Sequence, residues 1–149
     1  MPPARNMHAT ALILGTRGII VSGSSGVGKT SLALHLVERF TAGGRFARLV
    51  SDDQVFLENR NGRLVCHAPA AIAGLVEVRG YGPTPVATER SCVVDLFVRL
   101  AEGAAPRLPE RAFGTIEGCR IDALTLAARD APGAANAILA HLGLGPFTA

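Results

Sequence analysis

Eight residues, Gly23–Thr30, restrict the possible folds of this chain more than any other segment does. They read Gly-Ser-Ser-Gly-Val-Gly-Lys-Thr and match the pattern G-x-x-x-x-G-K-[ST] at every fixed position. Glycine lets the backbone N–H groups of such a loop turn inward around a phosphate, and the following helix adds the positive end of its dipole. The loop needs a buried strand before it and an amphipathic helix after it, so the motif predicts a strand–loop–helix unit.

The residues on both sides of this P-loop have the required patterns. Ile19–Ser22 is a short apolar run that predicts a strand leading into the loop. After the loop, Leu32, Leu36 and Phe40 recur at helical spacing, and Gly43 marks the end of the helix. The residues before and after the motif therefore support the P-loop assignment independently of the motif itself.

The remainder of the sequence is rich in strand patterns. We predict strands over His8–Leu14, Phe46–Ser51, Leu75–Arg79, Cys92–Leu100 and Cys119–Ala128, a hairpin at Asn61-Gly62, a loop over Gly80–Pro85 and a final helix over Ala134–Leu142. The predicted class is α/β, with a strand-rich mixed sheet and two or three helices. Residues 1–7 are expected to be a flexible tail and residues 8–149 a single domain.

The P-loop predicts that the chain binds a nucleoside triphosphate, ATP, together with Mg²⁺. Lys29, the only lysine in the sequence, is expected to reach the β- and γ-phosphates, and the Thr30 hydroxyl to bind Mg²⁺. The predicted nucleotide-binding residues are the whole motif: Gly23, Ser24, Ser25, Gly26, Val27, Gly28, Lys29 and Thr30.

A pair of carboxylates follows the next apolar strand, at Asp52 and Asp53. A P-loop site needs a carboxylate near the magnesium ion, and a strand end is where such sites place one. Neighbouring strand residues face opposite sides, so both cannot point at the phosphates unless the strand ends there. One aspartate could act as a base and the other through water on the metal.

The composition argues against several other classes of function. The formal charge of +3 is small, the arginines are scattered, and one Tyr with no Trp offers no stacking surface, so we expect no nucleic-acid partner. Cys66, Cys92 and Cys119 are too widely spaced for a zinc site and are expected to be reduced thiols of a cytoplasmic protein. Every apolar run is shorter than a membrane span, so we expect no membrane association.

Three motifs in fixed order resemble HPr kinase/phosphorylase, the bacterial protein-serine kinase of the sugar phosphotransferase system. They are the P-loop, the Asp52-Asp53 pair and the stretch Glu77–Gly82, which reads Glu-Val-Arg-Gly-Tyr-Gly. His8 also lies at the family's distance before the loop. The resemblance is good over about residues 8–82 and weak beyond. Full-length family members have a further N-terminal domain, and the resemblance leads us to expect a short form that consists of the kinase domain, similar to those of alphaproteobacteria.

The resemblance implies an ATP-dependent protein-serine kinase that acts on the phosphocarrier protein HPr, in a P-loop kinase domain that assembles as a homo-oligomer, a hexamer. Asp52 would be the general base and Asp53 its supporting neighbour. Glu77 would bind Mg²⁺ with Thr30, and Arg79 would steady the loop or the transferring phosphoryl group. His8 would lie near the phosphates.

Two features of the family remain open in this sequence. A further catalytic arginine is best matched by Arg111, with Arg107 and Arg129 as alternatives. The family segment Val-Arg-Pro-Gly-Arg-Asn is matched only loosely, because Ala134 and Ala135 follow Pro132-Gly133. The chain is therefore expected to phosphorylate better than it dephosphorylates by phosphorolysis.

Two other classes fit the P-loop itself. A small-molecule kinase would need a lid with clustered arginines, and the sequence has no such segment. A nucleotide-binding regulator without turnover would not need Asp52 and Glu77 beside a complete P-loop.

Overall fold

The computed structural model describes residues 5–103 and 110–147, apart from the side chains of Glu110 and Arg111. Its elements are β1 (Arg5–Met7), β2 (Ala9–Leu14), β3 (Arg17–Ser22), α1 (Lys29–Ala42), β4 (Ala47–Ser51), β5 (Val55–Arg60), β6 (Arg63–His67), a 3₁₀ turn (Ala70–Ile72), β7 (Leu75–Val78), β8 (Gly82–Pro85), β9 (Ser91–Ala101), β10 (Glu110–Ile116), β11 (Cys119–Ala127) and α2 (Ala131–Leu142).

Nine of the described strands form one mixed sheet. Seven lie in the order β1-β5-β6-β9-β3-β2-β4, and β11 pairs with β9 and carries β10 beside it. The pairs β3–β9 and β9–β11 are parallel, and the other pairs in this sheet are antiparallel. β7 and β8 form a separate hairpin. The α/β class with a strand-rich mixed sheet is confirmed.

The order of β3, β2 and β4 brings three distant segments to one edge of the sheet. β2 is antiparallel to both neighbours, with Ala9 opposite Ser22 and Ala11 opposite Ser51. β3 and β4 therefore run in the same direction, and their carboxyl ends meet where β2 begins. The residues that follow β3 and β4, and the one that precedes β2, converge there.

Both faces of this sheet are buried at β2 and β3. In β3, Ile19 and Val21 belong to the cluster under the helices, whereas Ile20 belongs to the cluster on the opposite face. On the helical side, Leu32 and Leu36 of α1 and Ile138 of α2 are almost completely buried. A strand covered on both faces reads as a continuous apolar run, as β2 and β3 do.

Four local expectations need correction. The flexible tail is wrong for Arg5–Met7, which pairs with β5 as β1. The loop over Gly80–Pro85 is wrong in part, because Gly82–Pro85 is β8; a two-stranded hairpin tolerates proline since both of its strands are edges. The strand Glu110–Ile116 was not predicted. The last helix begins at Ala131 rather than at residue 134.

The early start of α2 has a visible cause. Asp130 is its N-cap, and the carboxylate accepts a hydrogen bond from the N–H of Gly133 at 3.1 Å. Pro132 in the first turn is also typical of a helix start. Neither described helix has the length and apolar character needed to cross a bilayer.

Gly18→Ala should destabilise the fold, because a Cβ at Gly18 of β3 would enter the space held by the backbone of β9. A Cβ at Gly18 would lie 2.0 Å from the carbonyl oxygen of Val93. We expect urea denaturation to show a loss of about 1–3 kcal/mol or more. Gly114→Ala is the matched control, since no atom of the described residues lies within 4 Å of its added Cβ. Equal effects of the two substitutions would contradict the steric explanation.

Candidate active site

A cavity of about 400 Å³ lies at the edge of the sheet where β3 and β4 end. It joins the P-loop and the start of α1 to the residues after β4 and to the turn of the β7–β8 hairpin. Its lining includes these residues of the predicted site: Ser25, Gly26, Gly28, Lys29, Thr30, Asp52, Asp53, Glu77 and Arg79. Segments that are far apart in the sequence thus form one concave surface.

The P-loop has the backbone that its glycines predict. Gly26 and Gly28 have φ angles of 86° and 94°, which side chains with a Cβ rarely adopt. The Val27 side chain is buried and anchors the loop in the core. Gly28 is the N-cap of α1, so the N–H groups of the first helical turn face the cavity.

Lys29 lies across the mouth of this loop. Its Nζ donates hydrogen bonds to the carbonyl oxygens of Gly23 at 2.9 Å and Ser24 at 3.2 Å, although only about 5% of the side chain is exposed. The same Nζ is 3.6 Å from Oδ1 of Asp53. The single lysine therefore places its charge between the loop and the carboxylates.

Asp52 is buried and holds the P-loop helix against the sheet. Its Oδ1 accepts hydrogen bonds from Thr30 Oγ1 at 2.7 Å and Thr10 Oγ1 at 3.2 Å, and its Oδ2 accepts one from the backbone N–H of Glu77 at 2.9 Å. Both carboxylate oxygens are thus engaged by protein donors. This arrangement is typical of a carboxylate that orients other groups.

Asp53 faces a different environment. Its φ of 66° is in the left-handed region, and more than half of its side chain is exposed. Oδ1 lies 2.5 Å from Nε2 of His8, the residue just before β2. The turn at Asp53 therefore directs the second carboxylate into the open part of the cavity, beside His8 and Lys29.

Thr10 is a site residue that sequence reasoning missed. It is completely buried, and its hydroxyl accepts a hydrogen bond from the N–H of Asp53 at 3.2 Å while donating to Asp52. One hydroxyl thus fixes the relative positions of the two aspartates. A polar residue inside the apolar strand Ala9–Leu14 was the available signal.

The β7–β8 hairpin supplies the third side of the cavity. Val76 is buried in the core and anchors it. Glu77 and Arg79 follow Val76 in the sequence, are exposed and line the cavity. The hydrogen bond from Glu77 N–H to Asp52 connects this hairpin to the carboxylate pair.

Arg129 contacts the P-loop from the side of α2. Its backbone N–H donates to the carbonyl oxygen of Val27 at 2.9 Å, and its Nη1 donates to that of Gly26 at 3.1 Å. The guanidinium also makes a two-pronged ion pair with Glu102. Hydrogen bonding to Arg129 lowers the pKa of the Glu102 carboxyl, and the same contact raises the pKa of Arg129.

The other candidate arginines are less well placed or not described. The backbone of Arg111 lies on β10 opposite Leu124, in the third strand from β3. Its side chain, and the whole of Arg107, lie outside the described part of the chain.

The cysteines lie away from the cavity. Cys66 and Cys92 are neighbours across β6 and β9, with their Sγ atoms 3.3 Å apart. The hydrogen bond with Cys66, together with burial, raises the pKa of Cys92 far above its usual value. Cys92 therefore stays a protonated thiol at neutral pH, which makes it a poor nucleophile.

Comparisons with known proteins agree with this geometry. The family model described as the HPr Serine kinase C-terminal domain matches residues 1–92. HPr kinase/phosphorylase from Clostridium beijerinckii is 35% identical over 88 residues, 59% of this chain and 27% of that protein. The enzyme of the same name from Listeria welshimeri is 38% identical over 89 residues, with the same coverage. The chain thus spans about a quarter of the length of these curated relatives.

A solved structure extends the likeness to the fold as a whole. The Hpr(Ser) kinase/phosphatase from Coxiella burnetii superposes with a TM-score of 0.78, covering 93% of this chain and 96% of that one at 23% sequence identity. At this identity the likeness establishes the fold. Because the family model matches more than half of the sequence, the chain belongs to the HPr serine kinase C-terminal domain family.

Proposed function

We propose that this chain binds ATP with Mg²⁺ and transfers the γ-phosphoryl group to a serine of an HPr-type phosphocarrier protein. The observation that carries the proposal is the contact between Thr30 and Asp52, which joins the P-loop to a strand-terminal carboxylate pair. Family membership supports the protein acceptor, since the relatives are named HPr kinase/phosphorylase.

Three oxygen-bearing side chains could hold the magnesium ion. Thr30, Asp52 and Glu77 lie around the same cavity, and hydroxyl and carboxylate oxygens are the ligands that Mg²⁺ prefers. Mg²⁺ commonly takes only one or two carboxylates and completes its shell with water and phosphate oxygens. The ion would offset the negative charge of the phosphates.

The geometry favours exchanging the roles that we first expected for the two aspartates. A general base needs a carboxylate that an incoming hydroxyl can reach. Both oxygens of Asp52 accept hydrogen bonds from within the protein, and the residue is buried, so it fits a positioning role near the metal. Asp53 is exposed in the cavity, so we assign the base to Asp53.

In the proposed reaction, Asp53 removes the proton from the acceptor serine as its oxygen attacks the γ-phosphorus. The bond between that phosphorus and the bridging oxygen breaks, and ADP leaves. His8, 2.5 Å from Asp53, orients the carboxylate. Lys29 and Arg79 supply positive charge around the phosphates.

The dephosphorylating reaction, in which inorganic phosphate attacks phosphoserine and releases serine and pyrophosphate, should be weaker. It brings two anions together, so it needs additional positive charge. Ala134 and Ala135 are buried in α2 and cannot supply it. Arg129 does reach the P-loop, but its charge is paired with Glu102. These contacts support a kinase with little phosphorylase activity.

The cytoplasmic location remains a prediction from the cysteines and the short apolar runs, and the homo-oligomer and the hexamer remain predictions from the family resemblance. A further catalytic arginine also remains a prediction, with Arg111 first and Arg107 and Arg129 as alternatives.

Replacing Lys29 tests the nucleotide site directly. Lys29→Met keeps the length of the side chain and removes its charge, so we expect phosphoryl transfer from labelled ATP to HPr to fall by at least about 10²-fold. A thermal melt should show that the variant remains folded, and Arg45→Ala serves as the charge control. Full transfer by folded Lys29→Met would contradict the P-loop assignment. If the original protein labels a small molecule and not HPr, the result would favour a small-molecule kinase.

Asparagine substitutions separate the two aspartates. Asp53→Asn should bind ATP·Mg²⁺ normally and transfer phosphate about 10²–10⁴-fold more slowly, because only the base is lost. Asp52→Asn should instead require more Mg²⁺ for nucleotide binding, measured by calorimetry across a Mg²⁺ series. Asp122→Asn, an exposed position on β11, is the matched control. Normal Mg²⁺ dependence with lost transfer in Asp52→Asn would restore our first assignment.

The rates of phosphorylation and of phosphorolysis can be compared with one preparation of the protein. With phosphorylated acceptor and millimolar phosphate, we expect pyrophosphate to appear at least about tenfold more slowly than the forward reaction runs, because free positive charge is scarce near α2. A release rate equal to the forward rate would refute this expectation.

A further inference from the structure

A second cavity, of about 260 Å³, adjoins the candidate active site. It is lined by Gly28, Ser31, Arg79, Arg129 and Ala131. Gly28, Ser31 and Arg79 also line the first cavity, so the two spaces are neighbours. Its volume lies below the about 300 Å³ at which pockets for drug-sized ligands begin, which suits part of a nucleotide rather than all of it.

The chemistry of the first cavity gives a bound triphosphate a direction. Asp53 contacts His8 and Lys29, and in the proposed reaction the γ-phosphoryl group is transferred beside Asp53. The helix continues from Thr30 to Ser31, and Ser31 lines both cavities. A triphosphate with its terminal group at Asp53 would therefore direct its nucleoside end towards Ser31 and Arg129.

Arg129 is held as a fixed wall of this second cavity. Its φ of 55° is unusual for a residue with a side chain and is maintained by the backbone hydrogen bond to Val27. Gly28 lies beside it, since a Cβ at Gly28 would be in ordinary contact with Cα of Arg129, at 3.5 Å. The strained residue thus lies against the loop itself.

The guanidinium of Arg129 is better suited to stack on a flat ring through its planar face than to bind an anion through its charge. Three of its N–H donations go to Gly26 and Glu102, and the Glu102 carboxylate offsets its positive charge. A guanidinium with its edges occupied can still stack on a flat aromatic ring. An anion would find less to bind here than a nucleobase would.

We propose that the cavity between Arg79 and Arg129 receives the nucleoside end of the nucleotide, with the nucleobase stacked on the guanidinium of Arg129. The inference rests on the proposed nucleotide-dependent function and adds to it a subsite that selects nucleotides over inorganic polyphosphates. Arg129 then contributes to affinity through the base and does not take part in the chemistry.

Calorimetry with two probes tests this subsite, using Mg²⁺–ATP and Mg²⁺–tripolyphosphate on the full chain. Arg129→Lys keeps the charge and loses the planar face. We expect it to weaken ATP binding by about tenfold and to leave tripolyphosphate binding nearly unchanged. Glu102→Ala removes the ion pair but keeps the guanidinium, so its ATP affinity should stay within about threefold of the original protein.

Three outcomes would overturn the proposal. Equal losses of affinity for ATP and tripolyphosphate in Arg129→Lys would show that Arg129 contacts a phosphate or only maintains the structure of the loop. Unchanged ATP binding in Arg129→Lys would show that Arg129 does not contact the nucleotide. A loss in Glu102→Ala as large as in Arg129→Lys would show that the ion pair is what matters. Failure of the original protein to bind ATP is a separate result, because it rejects the proposed function itself.

Discussion

The antiparallel insertion of β2 between β3 and β4 is the constraint on which the site depends. It makes β3 and β4 run in the same direction, so the P-loop and the aspartate pair leave the sheet at one edge. It also brings the start of β2, with His8 and Thr10, to that edge. The pairing of these three strands therefore brings the residues of the candidate site to one place.

At this edge, two adjacent carboxylates have unlike surroundings. The turn at Asp53 points one towards the cavity, while Asp52 stays inside, bonded to Thr10, Thr30 and the backbone of Glu77. A buried carboxylate with its oxygens engaged is costly to disturb, and an exposed one can exchange protons with a substrate. In the proposed function, these different environments assign positioning to Asp52 and proton transfer to Asp53.

The same contacts explain where expectations from sequence held and where they failed. The P-loop, its strand and its helix were predictable because their signals are local: glycine conformations, an apolar run and helical spacing. Arg5–Met7 and β8 were not, because each short segment is a strand only by pairing with a partner, and neither has a strong pattern of its own. Asp130 and Pro132 did carry a readable signal for the earlier start of α2.

The sequence by itself determined the phosphate-binding loop, the strand-terminal aspartates and the order of motifs that identifies the family. These depend on residue types at short spacings, and the backbone conformation follows from them. Only the tertiary structure decided which aspartate is buried and which is exposed in the cavity, that Thr10 joins the pair, and that Arg129 lies against Gly26 and Val27. Those contacts link residues up to about a hundred positions apart in the sequence. They depend on the strand order and on the left-handed conformations of Asp53 and Arg129, which no local pattern encodes.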